Sequence, residues 1–450
     1  MTASTHVEGG DEELVARVAA IDVAKNSGMV CTRVPDPARA GRRLTEVWNV
    51  SARTNAIVAL GQQLAAAGIE RVVLEATSDY WRPFFYLLED QGLTVWLVNA
   101  RDVKNVPGRP KTDKADAVWL AKLNERGMLR PSFVPPAPIR ALRDYTRLRS
   151  DLTGDRTRHT QRLEKVLEDA LIKLTSVASD MLGVSGRLII EALIDGQRDP
   201  YALADLAKGT LRNKRGALAE ALTGRFDDHH GDLARVLLGQ IDALSAQIAH
   251  LDQRIEDLIA AMPEAAAPPI AVDADGVIHG PDPVPAADRL VEIPGVGRHG
   301  AHVIIAEVGL NMAAFPTPGH LVSWAKLSPR TIQSGSRDRP GATGHANRYL
   351  RSVLGQAAVV AGRTQTFLGA RYRRLARRIG KRKALVAVAR SILVIVWHLL
   401  ADPASRYRDL GPDWYDQRLG CVKFFGQVLW CFQAAVAVLW WSARACAGVR

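Results

Sequence analysis

Residues 14–22 read LVARVAAID, an apolar run that ends on the carboxylate of Asp22. The apolar run at residues 72–74 ends on Glu75 in the same way. A carboxylate at the tip of a buried strand is costly unless a cation holds it, although an Asp that follows a strand is often a simple turn residue. These two acids are therefore candidate metal ligands at the ends of two strands.

A third acidic element lies in residues 111–116, which read KTDKAD. Thr112 suits the N-cap of a helix that continues through residues 117–123. Asp113 and Asp116 are one helical turn apart, so they share a helix face and can converge on one ion. An Asp in a first helical turn often only complements the helix dipole. The joint placement of all four acids is what favours a metal site.

The segments around these acids alternate regularly. Periodicity predicts strands at residues 14–22, 28–34, 44–50, 70–75 and 93–98, and helices at residues 53–67, 80–91 and 113–125. The order βββαβαβα is that of the ribonuclease H and RuvC nuclease fold, in which the first and fourth strands lie side by side. Asp22 and Glu75 would then be neighbours. Such carboxylates suit Mg²⁺, and a pair of these ions can activate an attacking oxygen and stabilise a leaving one.

The motifs that contain these acids resemble a known family. They are Ile21-Asp22-Val23-Ala24-Lys25, Leu74-Glu75-Ala76-Thr77 with Tyr80, Val98-Asn99-Ala100 and residues 111–117, KTDKADA. Further motifs follow in the family's order: residues 292–297 (EIPGVG), Phe315, 323–329 (SWAKLSP), 333–335 (QSG) and 344–351 (GHANRYLR). Over most of its length the chain is similar to the DEDD transposases of bacterial insertion sequences, the IS110 family.

The resemblance implies an architecture and a reaction. In this family an RuvC-like domain, a coiled-coil segment and a C-terminal transposase domain form one recombinase. A structured RNA from the non-coding end of the element guides it to donor and target DNA. A serine of the transposase domain forms a covalent 5′-phosphoserine intermediate beside a carboxylate cluster from another subunit.

Ser334 is the nucleophile that the resemblance selects. Gln333 stands where many relatives carry an acid, so the alignment stays open by one or two positions and Ser336 and Ser328 remain alternatives. From the residues alone, residues 331–337 are a polar stretch without hydrophobic period, in which a serine is usually solvent-facing or capping. The side chains expected to clamp phosphates around it are Arg337, Arg339, Asn347, Arg348 and Arg351.

The charge balance favours a polyanionic partner. The 450 residues carry 59 Lys and Arg against 47 Asp and Glu, a formal charge of +12. In residues 371–383 eight of thirteen residues are basic and none is acidic. A charge run is usually a solvated face, but one this dense repels itself without a polyanion nearby. The predicted nucleic-acid contacts are Arg373, Arg374, Arg377 and Arg378, together with Lys111 and Lys114 beside the acidic helix.

A long helical segment follows the first domain. Apolar residues recur there at helical spacing: Leu163, Val166, Leu167, Ala170, Leu171 and Leu174, then Leu233, Leu237, Ile241, Leu244, Ile248, Leu251, Ile255 and Leu258. The second set fits the seam of a coiled coil that joins protomers. A hairpin that packs only on its own chain is an equal alternative.

A proline-rich linker and a glycine turn come next. Residues 262–285 contain Pro263, Pro268, Pro269, Pro281, Pro283 and Pro285, which is typical of a mobile linker. Residues 290–308 then read as helix, turn and helix around Gly295 and Gly297. Main-chain N–H groups at such a turn can grip a DNA phosphate, as in helix-hairpin-helix motifs, although a tight packing turn explains the glycines as well.

The predicted domains are therefore RuvC-like (1–138), helical coiled coil (139–261), linker (262–286), transposase domain (287–411) and hydrophobic extension (412–450). Four cysteines without zinc spacing and a polar N-terminus predict a reduced, cytoplasmic protein. Between Lys423 and Arg444 no residue is charged. That length suits a membrane span, but we favour a packing extension or a segment read past an ancestral stop.

The sequence thus predicts an α/β domain followed by α-helical domains, and a DNA recombinase of the transposase class. It would bind Mg²⁺, a guide RNA, donor and target DNA and further copies of itself, and no small-molecule substrate. One alternative is a metal-dependent nuclease that cuts branched DNA with water as nucleophile. Another is an inactive RNA-binding scaffold, which the four intact acids argue against.

Overall fold

The computed structural model describes residues 15–76, 78–99, 112–268, 284–328, 331–334, 337–340, 344, 347–415 and 417. The chain divides into two compact units, Met1–Val134 and Pro135–Arg450. The predicted linker lies largely outside the described residues, at 269–283, and so do Lys111, Ser336 and the uncharged segment after Lys423.

A five-stranded mixed sheet forms the centre of the first unit. Its strands are β1 (Val18–Val23), β2 (Ser27–Pro35), β3 (Arg43–Ser51), β4 (Arg71–Ala76) and β5 (Val95–Val98), in the order β3-β2-β1-β4-β5. β1 is antiparallel to β2 and parallel to β4. The helices are α1 (Thr54–Ala66), α2 (Trp81–Glu89) and α3 (Asp113–Glu125). The predicted element order is confirmed, and the first and fourth strands are adjacent, as in the RNase H-like arrangement.

Successive side chains of a strand point to opposite faces of the sheet, so each strand contributes residues to both faces. Ile21 and Leu74 pack with Phe84 and Leu60 on the face that α1 and α2 cover. Ala20 and Val73 pack on the other face with Ala117, Leu120 and Ala121 of α3. Asp22 and Glu75 follow Ala20 and Val73 by two residues, so both acids lie on the face that α3 covers.

The second unit begins with two long helices. They are α4 (Ala137–Asp169) and α9 (Asp228–Ala260), and they pack antiparallel within one chain. Arg149 forms a two-pronged ion pair with Asp252 near one end, and Asp169 contacts His230 near the other. The intrachain packing is therefore present. A coiled coil between protomers stays a prediction.

Four short helices connect this pair. They are α5 (Leu174–Val177), α6 (Val184–Ile194), α7 (Pro200–Ala204) and α8 (Arg215–Ala221). Their core includes Ala234 and Leu238 of α9. Leu233 of the predicted seam is 52% exposed within this chain, because the start of α9 turns Ala234 and Leu238 toward these short helices.

The rest of the second unit is a helical bundle with a small hairpin. Its helices are α10 (Ala286–Val291), α11 (Arg298–Val308), α12 (Pro318–Trp324), α13 (Arg348–Gly362), α14 (Phe367–Ile379) and α15 (Lys381–Ala401). Strands β6 (Thr331–Ser334) and β7 (Arg337–Pro340) pair antiparallel between α12 and α13. The polar stretch at 331–337 is thus not a simple loop, because a two-stranded hairpin needs main-chain pairing rather than an apolar period.

The core of this bundle is α15. Val388, Ile392 and Val396 are fully buried, and the helix packs against α12, α13 and α14. Among the described residues, it is the one helix long and apolar enough to cross a membrane. Length and composition alone are weak evidence for a membrane span, and this helix packs against three other helices of the bundle.

Candidate active site

Asp22 and Glu75 are direct neighbours in the sheet. They are register partners in the parallel ladder of β1 and β4. Each is the next-to-last residue of its strand, since β1 continues to Val23 and β4 to Ala76. Glu75 is 9% exposed and Asp22 is half-buried. The sheet therefore places two carboxylates side by side at one edge.

Helix α3 brings the other two acids toward the same edge. Its last turn is fixed by Asn124, whose Nδ2 donates to the carbonyl oxygens of Ala19 (3.1 Å) and Arg71 (3.2 Å). Arg71 donates in return to Asn124 Oδ1 at 2.6 Å. The helix therefore ends where β1 and β4 begin, and it begins where these strands end.

The lengths of these elements set the acids at similar heights. From Asn124 back to Asp116 the helix rises about 12 Å. From Ala19 to Asp22 the strand rises about 10 Å, and from Arg71 to Glu75 about 13 Å. At these ideal rises Asp116 comes level with both sheet carboxylates, and Asp113 comes one turn beyond. Thr112 accepts a hydrogen bond from the Ala115 N–H at 3.2 Å, which confirms the predicted N-cap.

Among the described residues, the one group of three or more potential metal ligands close enough to share an ion is a different one, not the four predicted acids. The ligand atoms of Asp169, His229 and His230 lie within 4.8 Å of one another. However, His230 Nδ1 accepts the Asp227 N–H at the start of α9, so Nε2 holds the ring proton and faces Asp169 at 3.2 Å. This group therefore caps a helix, and we assign it no metal.

Ser334 lies at the end of β6, where it pairs with Arg337, the first residue of β7. Arg339 pairs with Ile332 one step further down the hairpin. Ser328 is half-buried just before this segment. In the chain the hairpin follows α12 and precedes α13.

Two of the predicted phosphate contacts have structural partners. Asn347 caps α13, because its Oδ1 accepts the N–H groups of Tyr349 (3.0 Å) and Leu350 (3.3 Å). Arg348 donates to both carboxylate oxygens of Asp151 and lies over the Tyr349 ring. Arg351 is exposed on the next turn of the helix.

Sequence reasoning missed Glu307, which is the fully buried charge of this region. Arg147 of α4 donates to both Glu307 oxygens at 2.7 and 2.9 Å, and Arg143 lies at 3.2 Å. The Asn347 amide also donates to Glu307. Burial opposes the charge on Arg147, but its bonds to Glu307 raise the pKa of the guanidinium. The available signal was a lone acid inside the apolar run of residues 303–308.

The basic run from α14 to α15 is partly used within the chain. Arg371 donates to the Tyr415 hydroxyl, Arg373 donates to the Thr364 carbonyl, and Arg374 lies over the Tyr415 ring. Five cations are exposed around the break between the two helices, and we refer to them as the basic corner: Arg377, Arg378, Lys381, Arg382 and Lys383. Lys114 is exposed in the first turn of α3.

The glycine turn between α10 and α11 has a packing role. Gly295 has φ +91°, and a Cβ there would lie 2.2 Å from the Ala357 carbonyl of α13. Glycine is required at this position by backbone contact alone. Gly297 is the N-cap of α11 and faces open space, so its neighbourhood stays available to a ligand.

Two family models match the chain. Residues 19–172 match a DEDD-type model described as a transposase, and residues 287–373 match a model described as the transposase IS116/IS110/IS902 family. Because both matched regions are transposase models, the protein is a transposase, an enzyme that recombines DNA. It belongs to the IS110 family.

Solved structures similar to the chain include that of Thermus thermophilus RuvC, at 17% identity with a TM-score of 0.20. Another is T. thermophilus RuvC in complex with its Holliday junction substrate, at 18% identity with a TM-score of 0.20. Each match covers 26% of this chain and 99% of the RuvC chain. No curated protein matches the chain. The fold assignment rests on the strand order.

Proposed function

We propose that this transposase cuts and rejoins DNA through a serine-linked intermediate, with a carboxylate cluster that binds Mg²⁺. The observation that carries the proposal is the pairing of Asp22 with Glu75 at the sheet edge toward which the start of α3 points. Three chain segments thereby carry acids toward the same end of the sheet. A purely structural role would not require that convergence.

The donor set fits a hard divalent cation. Asp22, Glu75, Asp113 and Asp116 offer only carboxylate oxygens, the ligands that Mg²⁺ prefers. When bound, the ion would polarise a phosphate oxygen and lower the proton affinity of the attacking hydroxyl.

Ser334 is the proposed nucleophile. Its hydroxyl oxygen would form a bond to phosphorus while the bond from phosphorus to the 3′ oxygen breaks. The serine proton passes to a base, and the departing 3′ oxygen takes up a proton. The 5′-phosphoserine then keeps the energy of the phosphodiester, so a second 3′ hydroxyl can attack it and regenerate the serine.

The nucleic-acid surface would include the basic corner. Lys381, Arg382 and Lys383 occupy the first turn of α15, where positive charge opposes the helix dipole and no acid compensates it. A polyanion relieves that repulsion. On this proposal a structured guide RNA and the donor and target DNA share the basic surfaces, with Lys114, Gly297, Arg337, Arg339 and Arg351 as further contacts.

The assembly and the domains complete the proposal. Residues 1–138 would form the catalytic domain and residues 287–411 the transposase domain. Residues 139–261 would join protomers, so that the carboxylates of one subunit act beside Ser334 of another. The enzyme would act in the cytoplasm on bacterial DNA.

Trapping of a covalent protein–DNA adduct on a nicked substrate tests the serine. Ser334→Ala should abolish the adduct and recombination while nucleic-acid binding is kept, because a hydroxyl is lost without a change in charge. Ser336→Ala is the matched control. If Ser334→Ala is active and Ser336→Ala is inactive, the alignment with the family motif is shifted by two residues and Ser336 is the nucleophile.

Activity in both of these variants and in Ser328→Ala would mean that water attacks. The nuclease alternative would then replace the recombinase. The inactive-scaffold alternative predicts no strand cleavage by the unaltered protein under any condition.

A further inference from the structure

A groove lies between α13 and α15, beside the hairpin that carries Ser334. Its volume is about 740 Å³. Lys326 and Leu327, which precede the hairpin segment, and Arg348, which follows it, line one end of the groove. One end of the groove is therefore lined by residues that precede and follow the hairpin in the chain. The remaining lining residues come from the outer faces of α13 and α15.

The wall of the groove is aliphatic. Val359 and Val360 of α13 are 38% and 50% exposed, which is unusual for adjacent valines, and Leu385, Val386 and Ala389 of α15 face them. Each exposed aliphatic surface favours an apolar occupant. Ser352 and Gln356 add polar groups on successive turns of α13.

The rim of the groove is cationic. Lys326, Arg348 and Arg351 line it, and no acid does. The α15 wall begins directly after Lys381, Arg382 and Lys383 of the basic corner. Lys326 has φ +55°, a left-handed conformation that is costly for a residue with a side chain and is fixed here at the end of α12. An apolar wall under a cationic rim calls for an occupant that is apolar and anionic at once.

We propose that this groove takes an unpaired deoxynucleotide that flanks the phosphate attacked by Ser334. In a DNA duplex the base faces are stacked and hidden, whereas an extruded or single-stranded base exposes them next to its phosphate. The base would lie on Val359, Val360 and Leu385, with Gln356 and Ser352 at its polar edge. Arg351 and Lys326 would hold the phosphates.

This inference rests on the proposed function and extends it. It assigns the enzyme a preference for DNA that is unpaired next to the cut. Extrusion of the base also frees the adjoining phosphate from the regular duplex backbone, which helps the serine oxygen to reach the side opposite the leaving oxygen.

The test compares a nicked duplex with one unpaired 2-aminopurine at the cut and the same duplex fully paired. We expect the full-length protein to bind the unpaired form roughly tenfold more tightly, with the 2-aminopurine fluorescence showing a base held apart from its neighbours. Val360→Glu should remove this preference, because it places a carboxylate in the wall. Arg351→Gln should weaken the binding of both duplexes and reduce the salt dependence of that binding.

Matched controls are Val236→Glu and Arg254→Gln on α9, at an exposed valine and an exposed arginine outside the groove. Both should keep the preference. Equal affinity for paired and unpaired DNA would overturn the inference, as would a preference unchanged in Val360→Glu. The inference would also be overturned if Val360→Glu weakened the binding of an RNA strand more than the binding of DNA.

The readouts separate this inference from the proposed function. If the Ser334 adduct forms equally on both substrates and in Val360→Glu, the serine mechanism stands and the groove assignment fails. If no adduct forms on either substrate, the proposed function fails first.

Discussion

Asn124 of α3 donates a 3.1 Å hydrogen bond from Nδ2 to the main-chain carbonyl of Ala19 in β1. Its side chain is fully buried, and it also bonds to the carbonyl and the guanidinium of Arg71. One amide thus ties the end of α3 to the starts of both strands that carry acids at their other ends. This anchor lies about 12 Å along α3 from Asp116, and it fixes the direction in which the helix carries its acids.

Asn124→Ala should therefore reduce both stability and cleavage. Two carbonyls and the Nε of Arg71 lose the side-chain amide inside the core, which costs about 2–4 kcal/mol of unfolding free energy. Urea unfolding followed by circular dichroism measures the loss, and strand cleavage is measured well below the transition. Asn213→Ala, at an exposed position, is the control. Unchanged stability in Asn124→Ala would contradict the anchoring role.

Asp113→Asn and Asp116→Asn should each reduce strand cleavage roughly a hundredfold or more, because each removes ligand charge without removing volume. Nucleic-acid binding should stay nearly intact. Cleavage is measured on a labelled nicked substrate across a Mg²⁺ titration. Lys114→Gln, between the two acids, should keep the metal requirement. Full recombination by either Asp variant would refute the metal assignment.

The sequence predicts the sheet and its acids well because both depend on local patterns. A strand with an apolar run, a turn and a helix with an N-cap each leave a signal within a few residues. The pairing of Asp22 with Glu75 follows once the element order is known. The hairpin at Ser334 has no such signal, since main-chain pairing between polar strands leaves no apolar period.

Tertiary contacts explain the remaining differences. The role of Asn347 could not be predicted, because its partner Glu307 is brought to it only by the packing of α4, α11 and α13. The same holds for Arg371 and Arg373, which are half-buried and contact Tyr415 and Thr364. A run of charges in sequence does not tell which members face solvent.

The basic corner leads to a prediction about salt dependence. Arg377→Gln with Arg378→Gln should weaken nucleic-acid binding and lower the slope of log affinity against log salt by up to about 1.8, from two phosphate contacts. Arg373→Gln with Arg374→Gln should change the slope less, because these side chains have partners within the chain. Filter binding at several salt concentrations distinguishes the pairs. Equal slopes in all variants would mean that the corner is only solvated.

Buried histidines predict a pH dependence of stability. Burial, followed by the charge of Arg149, lowers the pKa of His299 to about 4, and burial also lowers the pKa of His302 despite Glu256. Above pH 6.5 both histidines are neutral in either state, so this contribution is fully present. As the pH falls from about 6.5 toward 4, these histidines bind protons in the unfolded chain but not in the folded chain. The free energy of unfolding therefore decreases.

The free energy of unfolding should therefore decline between pH 7 and pH 5, before most carboxylates titrate. His299→Gln should flatten this part of the profile, whereas exchange of the exposed His250 to Gln should leave it unchanged. Urea unfolding at half-unit steps of pH measures the slope. A slope that is the same in His299→Gln as in the unaltered protein would rule out this histidine as its source.

Glu307→Gln should destabilise the second unit strongly. The side chain is fully buried, and its negative charge offsets the guanidinium groups of Arg143 and Arg147. Removal of one member of a buried ion pair leaves uncompensated charge and costs about 3–5 kcal/mol. Glu256→Gln is the matched control, because Glu256 pairs with Arg298 at the surface, where such a bridge contributes about 0–1 kcal/mol. Chemical denaturation compares the two variants. Similar losses in both would show that Glu307 contributes no more than a surface ion pair, and that the start of α13 is held by its Asn347 cap alone.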